Sequence, residues 1–224
     1  MSGWMNQRPE WLGPTVDELA EAAYWARLYG RWEAMDLAGV AGFMEGFGRP
    51  WWVVGGWAVD AFTGVARRHD DVDVSIFASD VPALRAYVGD RWHLWCLAGE
   101  DMRPLTDRHP EVFHPASQIW VREHGDAPWV IDLPLTPDRD GLWTNKFIAD
   151  HVAPLDEVTW VAGDGIRYLN PEIVLLFKAR KRRTKDERDL VCVWPLLSEA
   201  KQLWLRHMIR RTDNSHPWLQ QLTR

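Results

Sequence analysis

The sequence has only two cysteines, Cys96 and Cys192, and they form no motif. A disulfide scaffold is therefore not predicted, and we expect a reducing compartment. No apolar run reaches the roughly 18 residues that a membrane-spanning helix needs. The N-terminus lacks a basic segment followed by an apolar one, so no signal peptide is predicted. We expect a cytoplasmic protein with no membrane partner.

Two common nucleotide-binding motifs are also missing. The chain has no G-x-x-x-x-G-K-[ST] motif, which excludes a P-loop NTPase, and no G-x-G-x-x-G dinucleotide-binding fingerprint. The chain has fewer basic than acidic residues: 26 Lys and Arg and 32 Asp and Glu give a formal net charge of −6. Binding of nucleic acid normally requires a basic protein surface, so a nucleic-acid partner is disfavoured. An acidic protein suits a cationic small substrate.

The 224 residues, with an ordinary 46% apolar content, suffice for one sizeable domain or a core with a small appendage. We divide them into an N-terminal helical segment (residues 1–45), a core (46–168) and a C-terminal helical region (169–224). The first helix is predicted to extend to about residue 35, and it could cover a sheet or pack against a second subunit in a homodimer. Residues 98–116 and 137–153 are predicted as loop regions.

The most informative stretch is residues 51–76. It begins with a short apolar strand, continues through Gly55 and Gly56 into a short helix, and ends in a basic turn and a second strand. Glycines allow backbone N–H groups to approach a ligand closely, and a helix that begins there directs its positive end to the same place. This arrangement suits a phosphate.

The second strand of this stretch carries Asp71 and Asp73. If Val72, Val74 and Ile76 alternate inward, both carboxylates emerge on the opposite face. Magnesium prefers oxygen ligands and commonly uses one or two carboxylates together with phosphate oxygens. A lone Asp-x-Asp is usually a solvated strand edge, and a lone Gly-Gly is usually a turn. Their combination in this order is far more specific and predicts a site for a metal and a phosphate.

Residues 55–60, with Arg67, His69, Asp71 and Asp73, resemble the signature of the polymerase-β-like minimal nucleotidyltransferases. The resemblance is closest to the aminoglycoside and lincosamide adenylyltransferases. It implies an α+β fold, in which a palm-like mixed sheet is flanked by helices and followed by a C-terminal helical region. It also implies that AMP moves from ATP to a hydroxyl, with two magnesium ions as cofactors and pyrophosphate as the product.

The same resemblance assigns roles to residues of the stretch. Gly55 and Gly56 would offer backbone donors to the β- and γ-phosphates. Asp71 and Asp73 would hold both metal ions. Arg67 would either support the turn before the acids or contact a phosphate, whereas His69 has no partner at ligand spacing and would support the turn.

A third carboxylate is expected from a later strand. Asp132 lies in an apolar strand predicted at residues 129–135, which forms a hairpin with residues 118–123. A single acid there is costly to bury unless something binds it, although it could face water at an edge or pair with an arginine. In the resembled family the third metal ligand comes from a strand beside the Asp-x-Asp strand. Asp132 matches that position best, as a ligand and general base, and Glu123 is the alternative.

A basic cluster lies between two helices predicted near residues 170–178 and 184–196. Its members are Lys178, Arg180, Lys181, Arg182, Arg183 and Lys185. Such a cluster is often a solvated turn that stabilises a helix C-terminus. Residues 170–178 and 185–189 resemble a segment of several small nucleotidyltransferases in which a lysine reaches the nucleotide phosphates. The resemblance therefore implies Lys178 or Lys185 as a triphosphate contact.

The acceptor is left open by the sequence. The resemblance favours a small molecule that bears hydroxyls, such as an aminoglycoside or lincosamide antibiotic, which would make the protein a resistance enzyme. The same core also transfers nucleotides to protein hydroxyls or tRNA ends in toxin–antitoxin systems, and the basic cluster is the feature that points to RNA. A non-catalytic nucleotide-binding partner protein is a further alternative, although all three carboxylates are present.

Overall fold

The computed structural model describes residues 16–69 and 71–222, so the first part of the predicted N-terminal segment, residues 1–15, lies outside the described residues. The helices of the described chain are α1 (Val16–Tyr29), α2 (Leu37–Met44), α3 (Gly55–Thr63), α4 (Val81–Val88), α5 (Leu155–Val158), α6 (Pro171–Ala179), α7 (Thr184–Val193), α8 (Glu199–Thr212) and α9 (Trp218–Gln221). The strands are β1 (Trp51–Val53), β2 (Val74–Ile76), β3 (His93–Ala98), β4 (Asp101–Pro104), β5 (Gln118–Arg122), β6 (Ile131–Pro134), β7 (Asp138–Arg139), β8 (Leu142–Thr144), β9 (Val152–Ala153), β10 (Thr159–Val161) and β11 (Arg167–Leu169). None of these helices is both long and apolar enough to cross a membrane.

Two four-stranded sheets form the centre of the fold. The first has the order β10-β11-β1-β2, in which β1 is parallel to β11 and antiparallel to β2. The second, β4-β3-β5-β6, is antiparallel throughout. Parallel bridges between Asp73 and Asp132 and between Phe77 and Thr136 join β2 to β6. The result is the mixed sheet flanked by helices that the sequence predicted.

The hydrophobic core unites the sheets with the C-terminal helices. Its buried side chains extend from Val40 to Leu222 as one cluster. Helix α6 is the central helix, because its apolar residues cover nearly its whole surface and it packs against α3, α7 and α8. A helix that is apolar on all sides is stable only when other elements surround it. The C-terminal helices therefore lie against the core and bring the basic cluster near the sheet.

Several predicted elements are confirmed, and others differ for local reasons. Ser198 caps α8 as expected, by accepting a hydrogen bond from the Lys201 backbone. Helix α1 ends at Tyr29 and not near residue 35, because Gly30 takes the left-handed conformation (φ +94°), after which the chain pairs with residues 129–130.

The two predicted loop regions contain strands. Within residues 98–116, β4 pairs with β3 even though Pro104 ends the strand, since an edge strand tolerates a residue without an N–H group. Residues 137–153 hold the small sheet β7-β8-β9 in place of the predicted loop. These strands have two or three residues each, which is too short for a visible alternation of apolar and polar side chains.

Candidate active site

Three carboxylates converge where the two sheets join. Asp71 and Asp73 lie just before β2, which begins later than predicted, at Val74. Asp132 lies on β6 and forms a parallel bridge with Asp73. One oxygen from each of the three side chains lies within 4.8 Å of the others. The structure therefore brings together the three acids proposed from the sequence, whereas Glu123 is exposed beyond the end of β5.

Asp132 is the buried member of this carboxylate trio and is only 9% exposed. Its Oδ2 accepts a hydrogen bond from Gln118 Nε2 at 2.9 Å, whereas its buried Oδ1 has no hydrogen-bond partner in the described chain. Burial, and then the negative charges of Asp73 and Asp71, raise the pKa of Asp132 well above its ordinary value. A buried oxygen without a partner, beside two more carboxylates, fits a hard divalent cation.

The diglycine turn packs directly against the acids. Gly55 begins α3 with φ +67°, and a Cβ atom at this position would collide with Asp73 Oδ2. A Cβ atom at Gly56 would lie 2.6 Å from the His69 ring. Val54, the residue that caps α3, makes no side-chain hydrogen bond to the first turn. The glycines therefore allow the N-terminus of a helix to approach the carboxylate trio closely.

Asp60 on α3 fixes the turn that leads to Asp71. It accepts hydrogen bonds from the Arg67 backbone N–H at 2.9 Å and from Arg67 Nε at 3.0 Å, and its other contact is His69 Nε2 at 2.7 Å. Arg67 Nη1 also lies 2.6 Å from Asp189 on α7. The Arg67 guanidinium therefore ties α3 to α7, so that the structure places it in the supporting position that was one of its two predicted roles.

The two lysines predicted as triphosphate contacts lie in different environments. Lys178 is buried in α6, and its Nζ lies 2.7 Å from Asp189 and 3.4 Å from Asp186. An ammonium that is buried and paired with two carboxylates is poorly placed to receive a triphosphate, so Lys178 departs from the prediction. Lys185 is exposed near the beginning of α7.

Sequence reasoning missed Lys146, which follows β8. Burial lowers the pKa of Lys146, and the negative charge of Asp73 opposes this effect in part. The Lys146 charge also interacts with Asp132, Lys181 and Arg180. The ammonium lies 5.1 Å from the centre of the Phe177 ring. A single lysine in a segment predicted as loop carries no signal of its own. Only the fold shows that the charge of Lys146 interacts with members of both the basic cluster and the carboxylate trio.

Comparisons with known proteins give one family match and several similar solved structures. Residues 36–91 match a family model described as aminoglycoside-2''-adenylyltransferase. No curated protein matches the chain significantly. A crystal structure of ANT(2'')-Ia in complex with adenylyl-2''-tobramycin is similar at 17% identity and a TM-score of 0.50, covering 79% of this chain and 96% of that one.

Two further structures are similar at slightly lower TM-scores. A solution structure of the antibiotic-resistance factor ANT(2'')-Ia has 17% identity and a TM-score of 0.49, with coverage of 81% of this chain and 91% of that one. The lincomycin-bound lincosamide adenylyltransferase LnuA has 18% identity and a TM-score of 0.49, with coverage of 73% and 99%.

The matched segment contains the diglycine turn, Asp71 and Asp73, and it ends before Asp132. Over these residues the predicted resemblance to the antibiotic adenylyltransferases is confirmed. The likeness to the tobramycin complex confirms the predicted α+β fold over most of the chain. The family description of residues 36–91 agrees with the enzyme class that the sequence predicted, the nucleotidyltransferases.

Proposed function

We propose that this chain is a magnesium-dependent nucleotidyltransferase that moves AMP from ATP to a hydroxyl of an aminoglycoside- or lincosamide-type antibiotic and releases pyrophosphate. The observation that carries the proposal is the convergence of Asp71, Asp73 and Asp132 within 4.8 Å. The family description of residues 36–91 supports an antibiotic as the acceptor.

The carboxylate trio would hold two magnesium ions, with Asp71 and Asp73 shared between them and Asp132 on one. All of its donor atoms are oxygens, which is the set that magnesium prefers. The unpartnered Oδ1 of Asp132 leaves a ligand position open among the described residues. When bound, magnesium lowers the pKa of a coordinated hydroxyl and offsets charge on transferring and leaving phosphates.

Asp132 is the proposed general base. The acceptor hydroxyl would give its proton to the Asp132 carboxylate while its oxygen attacks the α-phosphorus, and the bond from that phosphorus to pyrophosphate would break. Gln118 holds one oxygen of this carboxylate and so fixes the orientation of the base. In the metal-free protein, burial and the charges of Asp73 and Asp71 raise the pKa of Asp132.

The phosphates would lie between the beginning of α3 and the basic cluster. Backbone N–H groups at Gly55 and Gly56 are uncapped by the preceding side chain and carry the positive end of the helix dipole. Lys146 and Arg180 supply positive charge on the other side. Arg67 and Lys178 act less directly, because both pair with Asp189 on α7. Lys178 thereby joins α6 to α7, and Arg67, which also binds Asp60 of α3, joins α3 to α7.

The K146M variant is expected to raise the KM for magnesium–ATP about tenfold or more, since a charge-assisted hydrogen bond contributes ~1.5–3 kcal/mol. Its fold should be intact, because the substitution removes a half-buried charge whose pKa burial already lowers. The K201M variant is the matched control, since Lys201 is not among the proposed phosphate contacts and pairs with Glu172 on α6. Steady-state kinetics at saturating acceptor compare the two, and equal values of KM in both would contradict the assignment.

Transfer of label from α-labelled ATP tests the function itself. Tobramycin, lincomycin, total tRNA and the protein alone are each offered as acceptors in the presence of magnesium. We expect label on an antibiotic and stoichiometric pyrophosphate. Label on tRNA or on protein would favour the toxin–antitoxin alternative, and ATP binding without any transfer would favour a nucleotide-binding partner protein.

A further inference from the structure

The antiparallel sheet has one buried face and one half-buried face. Leu94 and Cys96 on β3, and Ile119 and Val121 on β5, are buried in the core. Because side chains alternate along a strand, their neighbours point to the opposite face. That outer face carries His93, Trp95 and Leu97 on β3 and Gln118, Trp120 and Arg122 on β5.

Strand register places Trp120 beside Asp132. Trp120 pairs with Trp95 on one side and with Asp132 on the other. Directly opposite residues of an antiparallel pair have Cβ atoms roughly 4.5–5.5 Å apart on the same face. The hydrogen bond from Gln118 to Asp132 shows that the side chains of β5 and β6 do meet on this face. The proposed general base therefore stands at the end of a row of two indoles.

The two indoles are held in place by other rings. Trp120 lies 4.9 Å from Trp32 in an edge-to-face contact and 5.5 Å from Trp129. The Arg122 guanidinium lies over Trp95 at 4.7 Å and over Trp129 at 4.2 Å. Trp129 is fully buried, whereas Trp95 and Trp120 are half-buried. These ring contacts hold both indoles in place, and each indole is still partly exposed.

Neither Trp95 nor Trp120 uses its indole N–H for structure. Both Nε1 atoms are buried without a hydrogen-bond partner in the described part of the chain. Leaving a buried donor unpaired costs stability. Trp52, Trp92 and Trp160 share this feature, so an unpaired indole N–H does not by itself mark a site. What Trp95 and Trp120 offer a ligand is the aromatic face, which is a typical lining of a small-molecule site that has few polar groups.

We propose that Trp120 and Trp95 form the acceptor platform, on which a saturated, hydroxyl-bearing ring lies with its C–H face against Trp120 and its reacting hydroxyl at Asp132. This inference rests on the proposed function and specifies its acceptor. Gln118 already donates a hydrogen bond to Asp132 Oδ2 and so fixes the carboxylate that the reacting hydroxyl meets. The ring that carries the reacting hydroxyl is thus selected by its apolar face.

The W120L variant tests the platform, with W120F as the conservative variant. Loss of one aromatic face is expected to raise the KM for the antibiotic that accepts the label about tenfold, with the KM for ATP unchanged and W120F close to the parent. W160L is the matched control, because Trp160 is also half-buried with an unpaired indole N–H but lies on β10, the far edge strand of the other sheet. Thermal melting of each variant shows whether it is folded, and W95L replaces W120L if that variant is not.

The outcomes separate this inference from the function on which it rests. In one outcome the parent transfers label to an antibiotic while W120L keeps the parent's KM for that antibiotic. This result would overturn the platform and leave the proposed function standing. Absence of transfer to any antibiotic would remove both proposals together.

Discussion

Asp132→Asn is expected to abolish AMP transfer and, in the metal-free protein, to raise the melting temperature. Activity should fall by about 10³-fold, because the substitution removes the general base and a metal ligand at once. Stability should rise because three carboxylates with oxygens within 4.8 Å repel one another, and one of them is buried with an unpaired oxygen. Most core substitutions lower both the activity and the melting temperature. A loss of activity together with a rise in melting temperature would therefore be diagnostic of a binding site.

The gain in stability should depend on pH in a defined direction. Burial and the neighbouring acids raise the folded-state pKa of Asp132 above its unfolded value. The folded state then holds its proton more tightly, and the stability from this group is lost as pH rises through the folded pKa. Asp132→Asn should therefore stabilise the protein at pH 7.5 and have little effect near pH 4.

Calorimetric melting in EDTA at both pH values measures this difference. Each kcal/mol of relieved repulsion corresponds to a rise of about 2–4 °C for a chain of this size. The E123Q variant is the control, because Glu123 was the alternative third carboxylate and is exposed. It should keep both activity and melting temperature. An active Asp132→Asn variant, or one that melts at a lower temperature at pH 7.5, would contradict the assignment.

Gly55→Ala should cost both stability and activity. Alanine at φ +67° is strained by about 1–2 kcal/mol, and its Cβ would also collide with Asp73 Oδ2. The carboxylate must then move, and a misplacement of about 1 Å at a catalytic group can cost roughly 10²-fold in rate. We expect at least that loss in kcat for AMP transfer.

Gly64→Ala separates the two effects of this substitution. Gly64 has φ +70°, and a Cβ atom there would meet nothing within 4 Å. The control should therefore lose a similar free energy of unfolding while its kcat remains near that of the parent. Equal kcat values for the two variants would show that Gly55 is needed only for its backbone conformation and not to make room for Asp73.

The sequence alone was sufficient for the local parts of the site. The order of strand, diglycine, helix and Asp-x-Asp is contained in one short stretch, and its residue types dictate its conformation. Asp132 could be proposed because it is a lone acid in an apolar strand and matches the position at which the resembled family carries its third carboxylate. The sequence could not show that Asp132 pairs with Asp73, since pairing between distant strands depends on the whole fold.

The rest of the site depends on contacts that leave no local pattern. Lys146 becomes part of it only because β7, β8 and β9 fold back beside the trio. Lys178 was a candidate from its place in a basic cluster, yet α7 presents Asp186 and Asp189 to it. The indole row next to Asp132 follows from the register of three strands, which the tryptophan content alone does not reveal.

The most direct test is AMP transfer from α-labelled ATP to antibiotic by the parent and by Asp73→Asn, each with magnesium and with EDTA. The account predicts transfer by the parent with magnesium alone, and a folded Asp73→Asn variant that is inactive in both conditions. Parent activity that survives EDTA, or an Asp73→Asn variant that transfers label as fast as the parent, would show that the three carboxylates do not form the metal site of this enzyme.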